Sequence, residues 1–405
     1  MKFIFFNPHK SAFFGITLLN FVSRIHSTTR YKYLIDYFKT NHQHLYLFVT
    51  PSSSSLPEYI SRYVPIKFEI FLWAIINKIN PFKIRLIKNF NQITKKDIFF
   101  SLTLRTFDNN SPPSIPSTSQ FLKVFHITHF NNFTSVLAKN LKKINPDILV
   151  AENNLYKNVL YFKKHFDFYR KNVYTLPYVY EHRFNSHLPY GQRLNKCLAT
   201  GSLVNIKNLN DSGQFKDFED YYHLDSLTPF RKTIYENKSK IKKYIDSSIS
   251  PVFEHKPKYS SQKDSFLTKL VNSLYNGISL SKHKYFKFDI VEKYNQYKMF
   301  IIPEEIGLPS VGFVEGMACG CAYVGKTDPM YTDLGLKPNV HYVGYDGSLK
   351  NLLAKIAYYQ NHPKKLEKIA HAGHKFVTQK FNGSIVAKTF YKDIRSLSKT
   401  KKNNG

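Results

Sequence analysis

Glu315 lies in the stretch PEEIGLPSVGFVEGMACGCAYVG, residues 303–325, where a carboxylate follows two glycines and a serine at short range. Gly307 and Gly312 let a ligand approach the backbone and expose amide groups to it. A helix opening at this point carries partial positive charge at its N-terminus, which attracts phosphate. In the first turn of such a helix, the Glu315 carboxylate accepts two hydrogen bonds from neighbouring sugar hydroxyls. Together these groups suit a nucleoside diphosphate. They equally suit a plain helix start, with Glu315 satisfying the dipole and the glycines making a turn.

The elements that must position Glu315 are visible on either side. KMFII (298–302) and CAYV (321–324) are apolar runs of strand character, so the segment reads as strand, loop, helix, strand. Ser310 or Gly312 opens the helix and Gly320 closes it, with Val314, Met317 and Ala318 on one buried face. In open α/β sheets ligands bind in the crevice beyond the strand ends.

The order GLP, then EGMACG and a small apolar strand, resembles the donor site of GT-B glycosyltransferases. The match is to the retaining group 1 (family-four-like) enzymes, whose signature is Glu, seven residues, Glu inside a GLP…EAMACG segment. The likeness extends to FDIVEKYNQYKMFIIPEE before the motif, and to NVHYVGYDGS, LKNLLAKIAYYQNHP and KKLEKIAHAGHKFVTQKFN after it. It implies an α/β fold of GT-B type, with two Rossmann-like doubly wound domains facing across a cleft and a C-terminal helix crossing back to the first domain. The implied divisions are an acceptor-side domain (1–185), a nucleotide-sugar-binding domain (186–382) and a crossover helix with a basic tail (383–405).

By the same resemblance, Glu315 holds the ribose, and Gly307, Leu308, Ser310, Val311, Gly312 and Phe313 line the donor. The chain departs from the pattern at one position: eight residues before Glu315 stands Gly307, not glutamate. The nearest acidic residues are Glu304 and Glu305, as though two extra residues lay within 310–313. Glu305 then reaches the transferred sugar if the loop bulges outward.

The first half reads as another α/β unit. Phe3 opens a strand to Phe6, a helix runs to about Phe38, and strands follow at 45–50, 97–104, 122–128 and 147–151, with a helix in NNFTSVLAKNLKKI. In HITHF, His126 and His129 end one of these strands and point to opposite faces. The position of His129 resembles a histidine that in the family bonds a donor-sugar hydroxyl. LATGSL (198–203) resembles the first strand and glycine turn of the second domain, placing Gly201 at the donor. For the basic pair that contacts the diphosphate in the family, Lys207, Arg231 and Lys232 are candidates. Among these, Arg231 and Lys232 stand out by their place in TPFRK at a helix start, with a solvated charged face as the plainer explanation of each. Asp328, Tyr331 and Asp333 follow the next strand, as sugar contacts or as turn residues.

The reaction implied is transfer of a sugar from a nucleoside diphosphate sugar to an acceptor hydroxyl, retaining, with no metal and no cofactor. The acceptor implied is a glycan or lipid-linked sugar of a cell-surface polysaccharide or glycolipid. A sugar-nucleotide epimerase and a non-catalytic GT-B-like protein that binds membranes or polyanions are the alternatives.

Composition bounds these readings. The chain has 405 residues, 42% hydrophobic, enough for two domains with their own cores. Three cysteines give neither a disulfide framework nor metal spacing, as expected of a cytoplasmic protein. Asn7, Pro8, His9 and Lys10 interrupt any signal-peptide core, and no apolar run reaches membrane-spanning length.

Fifty-nine Lys and Arg against 28 Asp and Glu give a net charge of +31, a field that attracts polyanions unless it reflects only a Lys-, Asn- and Ile-rich coding bias. Residues 66–90 point to anionic lipid. Phe68, Phe71, Leu72, Ile75, Ile76 and Ile79 fall at helical spacing among Lys67, Lys78, Lys83, Arg85 and Lys88, with Trp73 nearby, as in a helix lying on the inner membrane face or packed in the first core. Nucleic acid is disfavoured, because no zinc-finger, recognition-helix or aromatic RNA-binding pattern occurs.

Overall fold

The computed structural model describes residues 1–7, 35–38, 44–49, 56–102, 115, 120–127, 130–169, 171, 173–206, 213–251, 289–303 and 307–403. Its strands are β1 (Phe3–Phe6), β2 (Leu45–Phe48), β3 (Ile84–Ile87), β4 (Ile98–Ser101), β5 (Leu122–His126), β6 (Ile148–Ala151) and β7 (Val173–Thr175), then β8 (Leu194–Ala199), β9 (Ser202–Leu203), β10 (Ile245–Ser247), β11 (Ser250–Pro251), β12 (Tyr297–Ile301), β13 (Ala322–Lys326) and β14 (Val343–Tyr345).

The first seven form one sheet in the order β3-β2-β1-β4-β5-β6-β7, parallel at every pairing. β1, β4 and β6 are apolar nearly throughout, and they and β5 are buried on both faces, as a covered parallel sheet requires. One face packs Phe3, Phe5 and Phe100 with the Leu56–Ile76 helix; the other packs Phe6, Phe99 and Phe125 with Leu137 and Leu141 of the Thr134–Ile144 helix.

The second sheet runs β10-β8-β12-β13-β14, also parallel, with β9 and β11 forming a separate pair. Strand order reverses between β8 and β12, so the crevice at their C-terminal ends is the topological switch point. Phe313, Val314, Met317 and Ala318 of the Val311–Ala318 helix cover one face, and Leu352, Ile356, Leu366 and Ile369 of the Leu349–Asn361 and Pro363–Lys380 helices cover the other.

The C-terminal helix, Gly383–Asn403, returns to the first sheet. Val386, Ala387, Phe390, Tyr391 and Ile394 join the core of β1 and β4, with the Phe3 and Tyr391 rings 4.7 Å apart edge to face. Tyr174 of β7 donates to Asp393 at 2.8 Å. The expected two-domain α/β architecture with a crossover helix is therefore present.

Some local expectations change. The helix expected over 66–90 starts at Leu56 and ends at Ile76, because Lys78 takes a left-handed conformation (φ 55°). The amides of Lys78 and Ile79 then close on Ile75 and Ala74, a Schellman arrangement, and Pro81 prevents resumption. β3, hidden inside that expected helix, follows. Over residues 66–76 of the helix Ile66, Glu69, Ile70, Leu72, Trp73 and Ala74 are buried, and Ile79 just beyond it is buried too, so Leu72 and Ile79 of the expected lipid stripe are core, whereas Phe68, Phe71 and Ile75 are exposed.

Candidate active site

The loop and helix carrying Glu315 follow from local chemistry. Ser310 caps the helix, its hydroxyl accepting from the Gly312 amide at 3.2 Å. At the other end Gly320, with φ 75°, permits hydrogen bonds from Gly320 to Met317 and from Cys321 to Gly316. Residues 311–313 are thus the regular first turn, which leaves no room there for the two extra residues expected within 310–313. Any added length lies upstream.

Glu315 is half-buried behind this first turn. Burial pushes its carboxyl up to about 7; the Glu181 carboxylate adds to the rise and the Arg183 guanidinium opposes it. Arg183 is itself held by Glu181 at 2.9 Å and covers the Phe184 ring. These linker residues sit there because Phe184 is anchored in the second core, and because buried Arg193 and Asn295 fix the chain around it. Arg193 donates to Ser186 and Leu188, while Asn295 accepts from the His187 amide at 3.0 Å. Tyr294, fully buried beneath the helix, has its hydroxyl held well above its usual range by burial and by Glu315, with a hydrogen bond from Thr200 opposing.

At the switch point, Gly201 takes φ 126°, and a Cβ there would lie 2.9 Å from the Arg231 guanidinium. Arg231 donates Nε to the Pro303 carbonyl at 3.0 Å and Nη1 to the Ser202 carbonyl at 3.1 Å, so it ties the start of β9 to the loop after β12. The expected basic pair divides, since adjacent helical positions diverge by about 100°. Lys232 turns to Asp225 at 2.6 Å, which raises its pKa.

The donor-loop residues also divide. Phe313 is a core residue packed on Tyr331 and Tyr323, not a cleft residue. Leu308 packs across the cleft against the first domain's core. Val311 is half-buried, and Gly312 lies against Ile302 and Tyr294. Gly307, with φ 70°, touches the first domain: its carbonyl accepts from Asn153, and a Cβ on it would come within 2.6 Å of the Asn158 carbonyl. Asp333 adds to this contact through Lys157 at 2.5 Å and Asn158 at 2.9 Å. Asp328 caps its own helix and Tyr331 is buried against the Tyr323 hydroxyl, so both are structural. Glu304, Glu305, His129 and Lys207 lie outside the described residues.

On the first-domain side of the cleft, His126 ends β5 with Nε2 3.2 Å from a Glu152 oxygen just beyond β6. Sequence reasoning missed Glu152, Asn153, Lys157 and Asn158. Their signal was the polar run ENNLYKN directly after the apolar DILVA strand.

Two parallel sheets with their strand ends opposed, a switch-point crevice and a crossover helix define the GT-B fold of glycosyltransferases. Anabaena HepE solved with UDP shares it at 12% identity and a TM-score of 0.55, over 98% of this chain and 100% of that one. The complexes of HepE with UDP-glucose and with UDP and glucose do so at 10% identity and a TM-score of 0.54, over the same shares. No curated protein sequence matches the chain. Residues 278–391 match the family model described as glycosyl transferase-like. The chain thus has the GT-B fold and carries a glycosyl transferase-like domain over residues 278–391.

Proposed function

We propose that the protein transfers a sugar from a nucleoside diphosphate sugar to an acceptor hydroxyl, with retention and without a metal. The observation that carries this reading is the pairing, at one switch point, of Arg231 beside Gly201 with Glu315 on the helix that opens the crevice. Glu315 suits the ribose hydroxyls, as a bidentate acceptor once ionised. Arg231 supplies positive charge where the leaving diphosphate develops negative charge, which is electrostatic stabilisation of the transition state. HepE, of like fold, has been solved with UDP and with UDP-glucose, which supports a nucleotide-sugar donor here.

We assign Glu305 and His129 to the transferred sugar, on the family resemblance alone. The acceptor we favour is a lipid-linked or surface-polysaccharide sugar met at the cytoplasmic membrane face, given the net charge of +31. Calorimetric titration with UDP-, GDP- and ADP-sugars tests the donor: saturable binding to wild type that is lost in Glu315→Ala supports the reading. Absence of binding to every sugar nucleotide overturns it in favour of a non-catalytic polyanion-binding protein.

A further inference from the structure

The connection from β9 to the Pro229–Glu236 helix leaves the second domain and enters the first. Ile206, Phe215 and Phe218 are buried in the core of the first sheet, with Leu137, Leu141 and Phe162, and not in that of their own sheet. The Lys216–Tyr222 helix lays Phe218 and Tyr222 against the ring of Tyr161, with centroids 5.7 and 5.6 Å apart. Tyr161 is fully buried and its hydroxyl lies 2.6 Å from that of Thr134, so the ring is a fixed seat.

Polar contacts set the register of this docking. The Thr134–Ile144 helix has no side-chain cap from its own N-terminal residue, Phe133. Asp217 supplies the cap from the other domain: its carboxylate accepts from the Ser135 amide at 2.9 Å and from the Ser135 hydroxyl at 2.5 Å. Phe133 holds a left-handed φ of 45°, costly for a bulky side chain, and its amide donates to the Gln214 carbonyl at 2.7 Å.

The two legs of the excursion run back to the switch point as a paired stem. The Val204 carbonyl accepts from the Leu227 amide at 3.0 Å and from the Ser226 hydroxyl at 2.8 Å, the Ile206 amide donates to the Asp225 carbonyl at 2.9 Å, and Asn205 and Ser226 form an antiparallel bridge. One leg leaves directly after β9, beside Gly201; the other runs into the first turn of the helix that carries Arg231. Lys232 braces that turn against the second leg through Asp225 at 2.6 Å. A hydrogen-bonded stem transmits a displacement that an open loop would absorb.

We propose that Phe218 and Asp217 are positioning residues for the donor diphosphate: docked in the first domain, they set the place of Arg231 through the paired stem. This rests on the assignment of Arg231 to the diphosphate made above, and adds that the first domain controls that contact.

The test is calorimetric titration of the full chain with UDP, GDP and ADP and with the matching monophosphates. Arg231→Ala should weaken binding of the diphosphate alone. Phe218→Ala should lower diphosphate affinity at least about threefold and leave monophosphate affinity within about twofold of wild type, whereas Phe218→Leu should bind both as wild type does. Added to Phe218→Ala, the pair Ser135→Cys/Asp217→Cys should restore diphosphate affinity when oxidised and not when reduced, since the two side chains already touch and the three native cysteines are buried. Unchanged diphosphate affinity in Phe218→Ala, or an equal loss for both ligands, overturns the proposal and leaves the excursion a stabilising contact only. Binding of no nucleotide, or full diphosphate affinity in Arg231→Ala, overturns the donor reading instead, and hydrogen exchange then judges the coupling. Amides of residues 228–236 should exchange faster in Phe218→Ala and slow again once the added pair is oxidised; unchanged exchange there overturns it.

Discussion

Lys157 and Asp333 meet across the cleft, ammonium to carboxylate at 2.5 Å, and join the short helix after β6 to the one after β13. Burial opposes ionisation of Asp333, but the hydrogen bonds from Lys157 and Asn158 and the Lys157 charge outweigh it and hold the carboxyl below its usual range. Stability from this pair is therefore present above the unfolded carboxyl pKa and is lost as pH falls through the depressed folded value. Because Lys157 is more than half exposed, Asp333→Asn should lower unfolding free energy by no more than about 1 kcal/mol. The larger expected effect is on domain closure: a greater radius of gyration by solution scattering and a severalfold rise in donor KM. Unchanged scattering and KM would reduce the contact to a surface ion pair.

Glu315 works in the opposite sense. Its carboxyl is raised to about 7 by burial first and Glu181 second, against Arg183, so the folded state holds the proton more tightly than the unfolded one. Stability is then greatest below the unfolded carboxyl pKa and falls as pH rises toward about 7, by on the order of 3 kcal/mol. Glu315→Gln should remove that slope in thermal unfolding followed against pH. If sugar hydroxyls bind the ionised form, donor affinity should be higher at about pH 8 than at about pH 6, and the Gln variant should lose the difference. Donor binding to wild type that does not vary with pH would rule out the ionised acceptor.

The legible part of the chain was the part held by local rules. The cap at Ser310, the left-handed Gly320 and the apolar runs of β12 and β13 were readable because capping, turn conformation and strand burial are short-range effects. Side-chain direction was not. Phe313 looks like a donor-loop residue in the sequence, yet it points into the core because helix phase relative to the sheet is set by packing with Tyr323 and Tyr331. Lys232 was drawn off by Asp225, a partner supplied by a turn that no periodicity marks. β3 was hidden because IRLI follows an amphipathic run without a polar break other than Asn77 to Pro81. The contacts of Asn153, Asn158 and Lys157 join residues far apart in sequence, and such contacts leave no local pattern.

Gly307, where the family resemblance led us to expect glutamate, has its own geometric demand. With φ 70° and the Asn158 carbonyl 2.6 Å from any Cβ, Gly307→Ala is strained in backbone and in contact. It should cost about 1–3 kcal/mol of stability or, if the domains part to relieve the clash, raise donor KM with little change in melting temperature. Gly307→Glu should act in the same direction and should not increase activity. A more active Gly307→Glu enzyme would show that this loop retains the family register.

Gly316 separates packing from catalysis on the same helix. A Cβ there would strike the Phe300 ring, which is itself wedged between Tyr294 and Tyr323 and has no space into which to turn. Gly191, by contrast, has nothing within 4 Å of where a Cβ would stand. Overpacking a rigid core costs about 1–3 kcal/mol, so Gly316→Ala should lower the urea midpoint clearly while Gly191→Ala leaves it within about 0.5 kcal/mol of wild type. Because Phe300 lies in β12, directly before the donor loop, the strain should also pass to Pro303 and the Arg231 bond to its carbonyl. Donor affinity should accordingly fall in Gly316→Ala under conditions where the variant is still fully folded. Equal stability of the two variants would show that the helix can slide on β12, and would remove the reason for placing Glu315 at a fixed height above the switch point.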